Sequence, residues 1–174
     1  MNPPVRVDVA VEAAGVEQVE TISRLAGEIW RACYRELLSA EQIEYMLARM
    51  YSLETLREEM RSGGIRYDFL WIGTDLTGFA SYGPTETEGV FKLHKLYVHP
   101  RWHGQGHGSA LLRHCEQAAR GLGARRLVLN VNKRNRKAIR AYERNGYRTV
   151  RAETNDIGGG FVMDDYVMSK EVEG

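Results

Sequence analysis

The stretch that most constrains this chain is His103-Gly104-Gln105-Gly106-His107-Gly108-Ser109, three alternating glycines between a strand-like run and a helix-like run. Glycine lets the main chain turn through left-handed conformations and approach a ligand with no Cβ in the way. A helix beginning there offers N–H groups without intrahelical partners and the positive end of its dipole, a ready seat for phosphate. His103 and His107 flank the loop together with Arg101, and Ser109 adds a hydroxyl donor. The plain alternative is a loop that needs glycine only to turn. A P-loop is excluded because its Lys-Ser/Thr pair is missing. The dinucleotide fingerprint G-x-G-x-x-G fails as well, since Ser109 stands at its third glycine and no acid closes the next strand near Asn130.

The flanking patterns predict the elements that hold this loop. Val5 to Val11 alternates with period two, as a strand does. From Val16 to Leu38 the residues Val19, Ile22, Leu25, Ala26, Ile29, Trp30, Cys33 and Leu37 recur at three and four, a helix with one buried stripe. Ser39 and Ser52 each precede a further helical run, the second stopped at Gly63-Gly64. The residues 66–73, 79–83 and 90–98 then read as three strands, the first two joined by a turn over 74–78 and the last ended by Pro100. Beyond the glycine loop, Leu111, Leu112, Cys115, Ala118, Ala119 and Leu122 form a helical stripe, followed by a strand from Arg126 to Asn132. Asn135 caps a short helix, and two strands over 147–150 and 161–168 end the pattern with Gly158-Gly159-Gly160 between them. No linker or repeat divides the 174 residues, so they are expected to form one mixed α/β domain.

Charge is unevenly distributed. Between Gln117 and Tyr142 stand eight cations and no acid, so 16 basic residues remain to face all 23 acids elsewhere. An anionic ligand at the basic segment and a cationic one at another place are the expectation. No run approaches the ~20 apolar residues of a membrane helix, and the first eight residues lack the apolar core of a secretory signal. Cys33 and Cys115 show no metal-ligand spacing and read as reduced core thiols. These features point to a cytoplasmic protein without a metal.

Two segments resemble a known family. Val98-His-Pro-Arg-Trp-His-Gly-Gln-Gly-His-Gly-Ser-Ala-Leu-Leu112 resembles the acetyl-CoA motif of the GNAT acetyltransferases, V-x-P-x-x-R/Q-G-x-G-x-G/A. Asn135 to Tyr147 resembles their second signature, N-x-x-A-x-x-x-Y-x-x-x-G-F/Y. The resemblance covers essentially the whole chain, because the element order matches too. It implies the GNAT fold: a mixed, mostly antiparallel twisted sheet of about seven strands, flanked by helices and splayed between strands 4 and 5. His103 departs from the usual Arg or Gln, which implies a weaker grip and a cofactor affinity that varies with pH.

The same resemblance implies roles for single residues. Acetyl-CoA would lie in the splay, its pyrophosphate on His103 to Ser109 and its pantetheine arm against main-chain groups of Leu96, Tyr97 and Val98. Asn135 would contact that arm while capping its helix, and Lys137, with its basic neighbours, would reach the 3′-phosphate. Tyr142 would hydrogen-bond the sulfur; its alternative is a core tyrosine. The acceptor amine would attack the thioester directly through a tetrahedral intermediate, with His94 as the base. Strand alternation puts His94 on the face of Lys92, Leu96 and Val98, and Lys92 takes a place often held by Glu.

The ending Phe161-x-Met163-x-Asp165-x-x-Met168-x-Lys170 and the helix with Trp30 and Tyr34 are similar to a bacterial subgroup that includes polyamine acetyltransferases. Trp30, Tyr34, Glu86 and Glu88 follow as candidate acceptor residues. The partners implied are acetyl-CoA and a small-molecule amine, with a homodimer left open. A protein lysine or N-terminal acetyltransferase and a non-catalytic acyl-CoA-binding module stand as alternatives. Nucleic-acid binding is disfavoured, since the cations share their segment with the acyltransferase signature.

Overall fold

In the computed structural model the described residues are 7–62 and 64–172. Val5 and Arg6 of the predicted first strand, and Gly63, lie outside them. The elements run β1 (Val9–Ala14), α1 (Val19–Cys33), α2 (Ala40–Met50), α3 (Leu53–Arg61), β2 (Arg66–Ile72), β3 (Asp75–Pro84) and β4 (Val90–Val98). After a single 3₁₀ turn over Pro100–Trp102 come α4 (His107–Gly121), β5 (Arg126–Asn132), α5 (Arg136–Arg144), β6 (Arg148–Gly158) and β7 (Phe161–Glu171). No helix of the described residues is long and apolar enough to cross a membrane.

Local chemistry explains most of the boundaries. Ser39 Oγ accepts from Gln42 N and Ser52 Oγ from Thr55 N, both at 3.1 Å, so each serine opens its helix as an N-cap. The predicted helix over 16–38 is shorter: α1 ends at Cys33, and the N–H groups of Leu37 and Leu38 both turn back to Tyr34 O. The predicted turn over 74–78 is tighter, because Gly73 at φ 60° reverses the chain within two residues. The last two strands are longer than their alternation suggests, forming a hairpin from Arg148 to Glu171.

The seven strands lie in the order β1-β2-β3-β4-β5-β7-β6, antiparallel except for β4 and β5. α4 packs Leu111, Leu112, Cys115 and Ala119 on one face of the sheet, while α1, α2 and α3 cover Tyr67, Phe69 and Phe79 on the other. The single parallel pairing is short. It joins Val90–Leu93 to Arg126–Leu129 and goes no further, although β4 continues along β3 to Val98 and β5 along β7 to Asn132. The sheet therefore splays between these two strands.

A β-bulge marks where the splay opens. Ser81 opposes Lys95 and Tyr82 opposes Leu93, so His94 is an extra residue with no partner on β3. The extra residue shifts the alternation of every side chain after it. Phe91 and Leu93 join the α4 side, yet so do Leu96 and Val98, while Lys95 and Tyr97 turn to the helices α1 and α3. The simple alternation that placed His94 with Lys92, Leu96 and Val98 is therefore corrected. Inserting one residue reverses the phase of a period-two pattern.

Candidate active site

One cavity of about 970 Å³ occupies the splay. Its floor is the end of β4 from Lys92 to Val98 and the end of β5 from Leu129 to Asn132. The glycine loop borders one end with His103, Gly104, Gly106, His107, Gly108 and Ser109, and α5 adds Asn135, Lys137 and Tyr142. Of the loop residues predicted to meet a cofactor, Gln105 alone does not line the cavity. Gly104 and Gly106 hold φ of 75° and 82°, which other residues rarely adopt, and a Cβ at either would meet no atom within 4 Å. The loop is thus glycine for its backbone conformation, while the space above it stays clear.

Gly106 is also the N-cap of α4, so the N–H groups of His107, Gly108 and Ser109 have no acceptor inside the helix. Asn145 Nδ2 donates to Ser109 Oγ at 3.0 Å, leaving the hydroxyl proton to turn toward an anion. Asn135 caps α5 by accepting from Ala138 N at 3.2 Å and also lines the cavity. Two cations of the basic run are engaged with the protein. Lys133 pairs with Asp164, and Arg134 Nη1 donates to Leu37 O at 2.9 Å, tying the α1–α2 connection to the β5–α5 loop.

His103 has a different part from the one its sequence position suggests. Its Nε2 lies 2.6 Å from Val98 O and its Nδ1 lies 3.0 Å from Lys137 Nζ. A carbonyl only accepts and an ammonium only donates, so the imidazole is neutral with its proton on Nε2. Desolvation pushes its pKa down, helped by Lys137 and His99 and opposed by the Val98 carbonyl. Because the shift is downward, His103 stays uncharged from neutral pH upward, and protonation in acid sets a second cation against Lys137. Acetyl-CoA affinity, read by titration calorimetry, is therefore expected to be flat between about pH 7 and 9 so far as His103 is concerned. The pH dependence implied by the unusual residue moves to the acid side.

The opposite half of the cavity is walled by Trp30 and Tyr34 of α1, Met46, Arg49 and Met50 of α2, and Ile157 and Met163 of the β6–β7 hairpin. Trp30 and Tyr34 stack with ring centroids 4.6 Å apart, and Tyr97 lies 5.8 Å from Trp30. Tyr45 OH donates to Ile157 O at 2.7 Å, and Gln42 Nε2 to Val162 O at 3.3 Å, so the hairpin tip is bolted over α2. Gly159, at φ 62°, fits there because a Cβ would stand 2.8 Å from the Tyr45 ring.

Glu86 and Glu88 are not part of this half. Both belong to the β3–β4 connection, and Glu88 borders a small depression with Arg125, Arg126 and Glu171. That connection sits at the end of β4 where β5 is still paired, away from the splay. The acids that do line the cavity are Glu59, which the sequence did not point to, and Asp165, which stands in the quoted C-terminal pattern but was given no site role there. Glu59 Oε2 is 2.7 Å from the buried Lys95 Nζ and also receives the Tyr67 hydroxyl. Its charge is thereby matched. Asp165 could have been found: it occupies an inward position of a period-two strand otherwise filled by Phe161, Met163 and Val167.

The titratable groups facing the splay are tuned by burial. Desolvation, then Lys92 and Lys95, push His94 down to about 4 despite its access to solvent through the cavity. The Tyr142 phenol is pushed up to about 12, chiefly by burial. Tyr34 and Tyr97 are raised well above the usual phenol range for the same reason. Cys33 and Cys115 are free thiols, Cys33 half-buried beside the cavity. Among the described residues no group of three or more His, Cys, Asp or Glu side chains is placed to hold a metal ion.

A sheet parted between two parallel strands, with a helix N-terminus and left-handed glycines at the parting, defines an open-splay α/β domain built around a glycine loop. The chain belongs to the acetyltransferase (GNAT) family, whose pattern matches residues 25–147. It is an N-acetyltransferase of that family. It is 25% identical over 171 residues to the spermidine N(1)-acetyltransferase of Thermoplasma acidophilum, covering 96% of this chain and 99% of that protein. The crystal structure of the PaiA N-acetyltransferase from T. acidophilum, in complex with coenzyme A, superposes with a TM-score of 0.78 over 94% of this chain and 99% of that one, at 25% identity. The fold is shared more widely, as with the ribosomal-protein-S18-alanine N-acetyltransferase of Escherichia coli, TM-score 0.72 at 17% identity over 96% of each chain.

Proposed function

We propose that this chain transfers the acetyl group of acetyl-CoA to a primary amine of a small molecule, with polyamines as the first class to try. The observation that carries the reading is the continuity of one cavity from the glycine loop, across the splay, to the aromatic and methionine-lined half under the β6–β7 tip. The phosphate end fits the cofactor: the Gly104–Gly106 turn leaves clear space, and the first N–H groups of α4 and the Ser109 hydroxyl face it. Lys137 and Asn135 stand where the rest of the nucleotide arm would pass. Main-chain groups of Leu96, Tyr97 and Val98 lie along β4 beyond the bulge, freed from any pairing with β5.

When bound, acetyl-CoA supplies an activated thioester. The protein then has to orient it, stabilise the departing thiolate and relieve the amine of its proton. An alkylammonium near pKa ~10.4 is almost wholly charged at pH 7, a deficit of about 4–5 kcal/mol before any attack. Tyr142 is suited to the second task as a hydrogen-bond donor, because a phenol held near 12 keeps its proton when a sulfur anion develops beside it. His94 at about 4 is neutral at working pH but a weak acceptor for an ammonium proton. A cytoplasmic setting, where acetyl-CoA is at hand, goes with this reading.

The test is a panel of primary amines, from monoamines to spermidine, assayed for CoA release and for N-acetylated product by mass spectrometry. Turnover of at least one amine well above the rate of acetyl-CoA hydrolysis is expected. Binding of acetyl-CoA without turnover of any small amine would reject the small-molecule acceptor.

A further inference from the structure

We infer that Asp165 is the carboxylate that receives the acceptor's ammonium in the cavity and takes its proton. The inference rests on the small-amine reading and adds the acceptor's anchoring group to it.

Asp165 is 6% exposed, lines the cavity, and its Oδ1 is buried without a hydrogen-bond partner. A buried acceptor left open is costly, about 1–3 kcal/mol for an uncharged group and more for a charged one, so its retention needs a reason. A ligand N–H is such a reason. Glu59, the other carboxylate in the cavity, differs because Lys95 and Tyr67 already occupy it. Asp165, approached by the Asn130 amide and with no cation among the described residues paired to it, is therefore the less engaged of the two carboxylates.

Its position suits the reaction. Asp165 stands directly across from Asn132, the last residue of β5, at the lip of the splay. The same half of the cavity carries Met163 and Ile157 on the hairpin and Met46 and Met50 on α2, with Arg49 turned to the Ile157 carbonyl. An ammonium at Asp165 with its carbon chain along these side chains would be matched at both ends. Asn130 stands beside the carboxylate and donates its amide to Glu153 Oε2 at 3.2 Å, while Glu153 lies across from Asp165 on β6.

The electrostatic surroundings favour a proton acceptor over a permanently ionised residue. Burial raises the Asp165 pKa, Asp164 and Glu153 add to the rise, and Asn130 and Lys92 oppose it. Asp164 is turned out to Lys133 and Thr154, and Glu153 is held by Arg151. In the step itself the R–NH₃⁺ gives one proton to the Asp165 carboxylate. The neutral amine nitrogen then forms its bond to the thioester carbonyl carbon as the C–S bond breaks. The second N–H proton leaves with the thiolate to give CoA-SH, and Asp165 returns its own to water. One amine is acetylated and one proton is released.

Asp165→Asn keeps the shape and removes the charge, and Asp165→Glu keeps the charge, so the two are compared with His94→Ala using 1,4-diaminobutane and butylamine as probes. The wild-type kcat/KM for amine is expected to fall on the acid side as Asp165 takes up a proton. Asp165→Asn should lose about 10²-fold in kcat/KM and show no such limb, with acetyl-CoA affinity unchanged within about twofold. Asp165→Glu should recover part of the activity and the limb, and His94→Ala, whatever its rate, should keep the limb. If Asp165→Asn matches the wild type in rate and pH profile, or if His94→Ala alone abolishes the limb, the inference is wrong while the small-amine reading stands. If the wild type acetylates no amine at all, the small-amine reading falls and this inference with it.

Discussion

Placing a carboxylate at Gly106 should all but abolish acetyl-CoA binding while leaving the protein folded. Aspartate and asparagine are the non-glycine residues that best tolerate a left-handed backbone, so φ 82° at this position is strained only modestly by either. A Cβ there meets no protein atom within 4 Å, so the added side chain enters the open space over the loop, where we propose the pyrophosphate sits. Gly106→Asn tests volume alone and Gly106→Asp adds one negative charge. A unit charge about 4 Å from a phosphate, at an effective dielectric near 20, is repelled by about 4 kcal/mol, or about 10³-fold in affinity. Both variants should lose only a few degrees of Tm, since a strain of about 1–2 kcal/mol shifts a chain of this size by roughly that much. Calorimetric titration with acetyl-CoA and a thermal melt of each variant check it. Equal weakening by Asn and Asp would mean that no phosphate sits over Gly106.

The second large effect is expected at Tyr142. Removing its hydroxyl leaves the ring, which packs 5.8 Å from Tyr147, and so preserves the apolar contacts of α5. In the role proposed for it, what is lost is a hydrogen bond to a sulfur that carries charge only as the C–S bond breaks. A hydrogen bond to a charged group is worth about 1.5–3 kcal/mol, so kcat for Tyr142→Phe should fall by about 10- to 100-fold. The Kd for acetyl-CoA should change little, because the ground-state thioester sulfur is a weak acceptor. The phenol held at about 12 also bears on the pH profile. A raised pKa means the donor is intact throughout the working range, so no loss of rate below pH 10 is assigned to Tyr142. A drop in affinity with kcat intact would instead make the tyrosine part of the binding surface.

Both effects concern features that a linear pattern conveys well. The left-handed turns at Gly104 and Gly106 are local events, and glycine is the residue that permits them. Asn135 as a cap and the apolar stripes of α1 and α4 are local for the same reason: neighbours three and four residues apart share a helix face whatever the rest of the chain does. The limits of strands β4 and β5, Val90–Val98 and Arg126–Asn132, match the sequence expectation because aromatic and β-branched runs bounded by glycine and proline have few other uses.

The half of the cavity opposite the glycine loop was much less legible. Glu86 and Glu88 are acids in an exposed connection, and nothing in their spacing says at which end of β4 the sheet opens. The bulge at His94 has no glycine to announce it and is visible only from the register of β3 against β4. Asp165 looks like one of two acids in a strand until β5 and α2 close around it, and the tyrosine of α2 that bolts the hairpin tip is 112 residues from its partner. The neutrality of His103 likewise depends on Val98 and Lys137, the latter 34 residues away.

The sequence by itself determined the anion-binding loop, the order of the elements and the family, because each is carried by residues close along the chain. Only the tertiary structure decided which carboxylate lacks a paired cation, that His103 is neutral, and which side chains wall the half of the cavity opposite the glycine loop. Those properties are set by desolvation and by partners brought together from distant segments, and neither is written in local spacing.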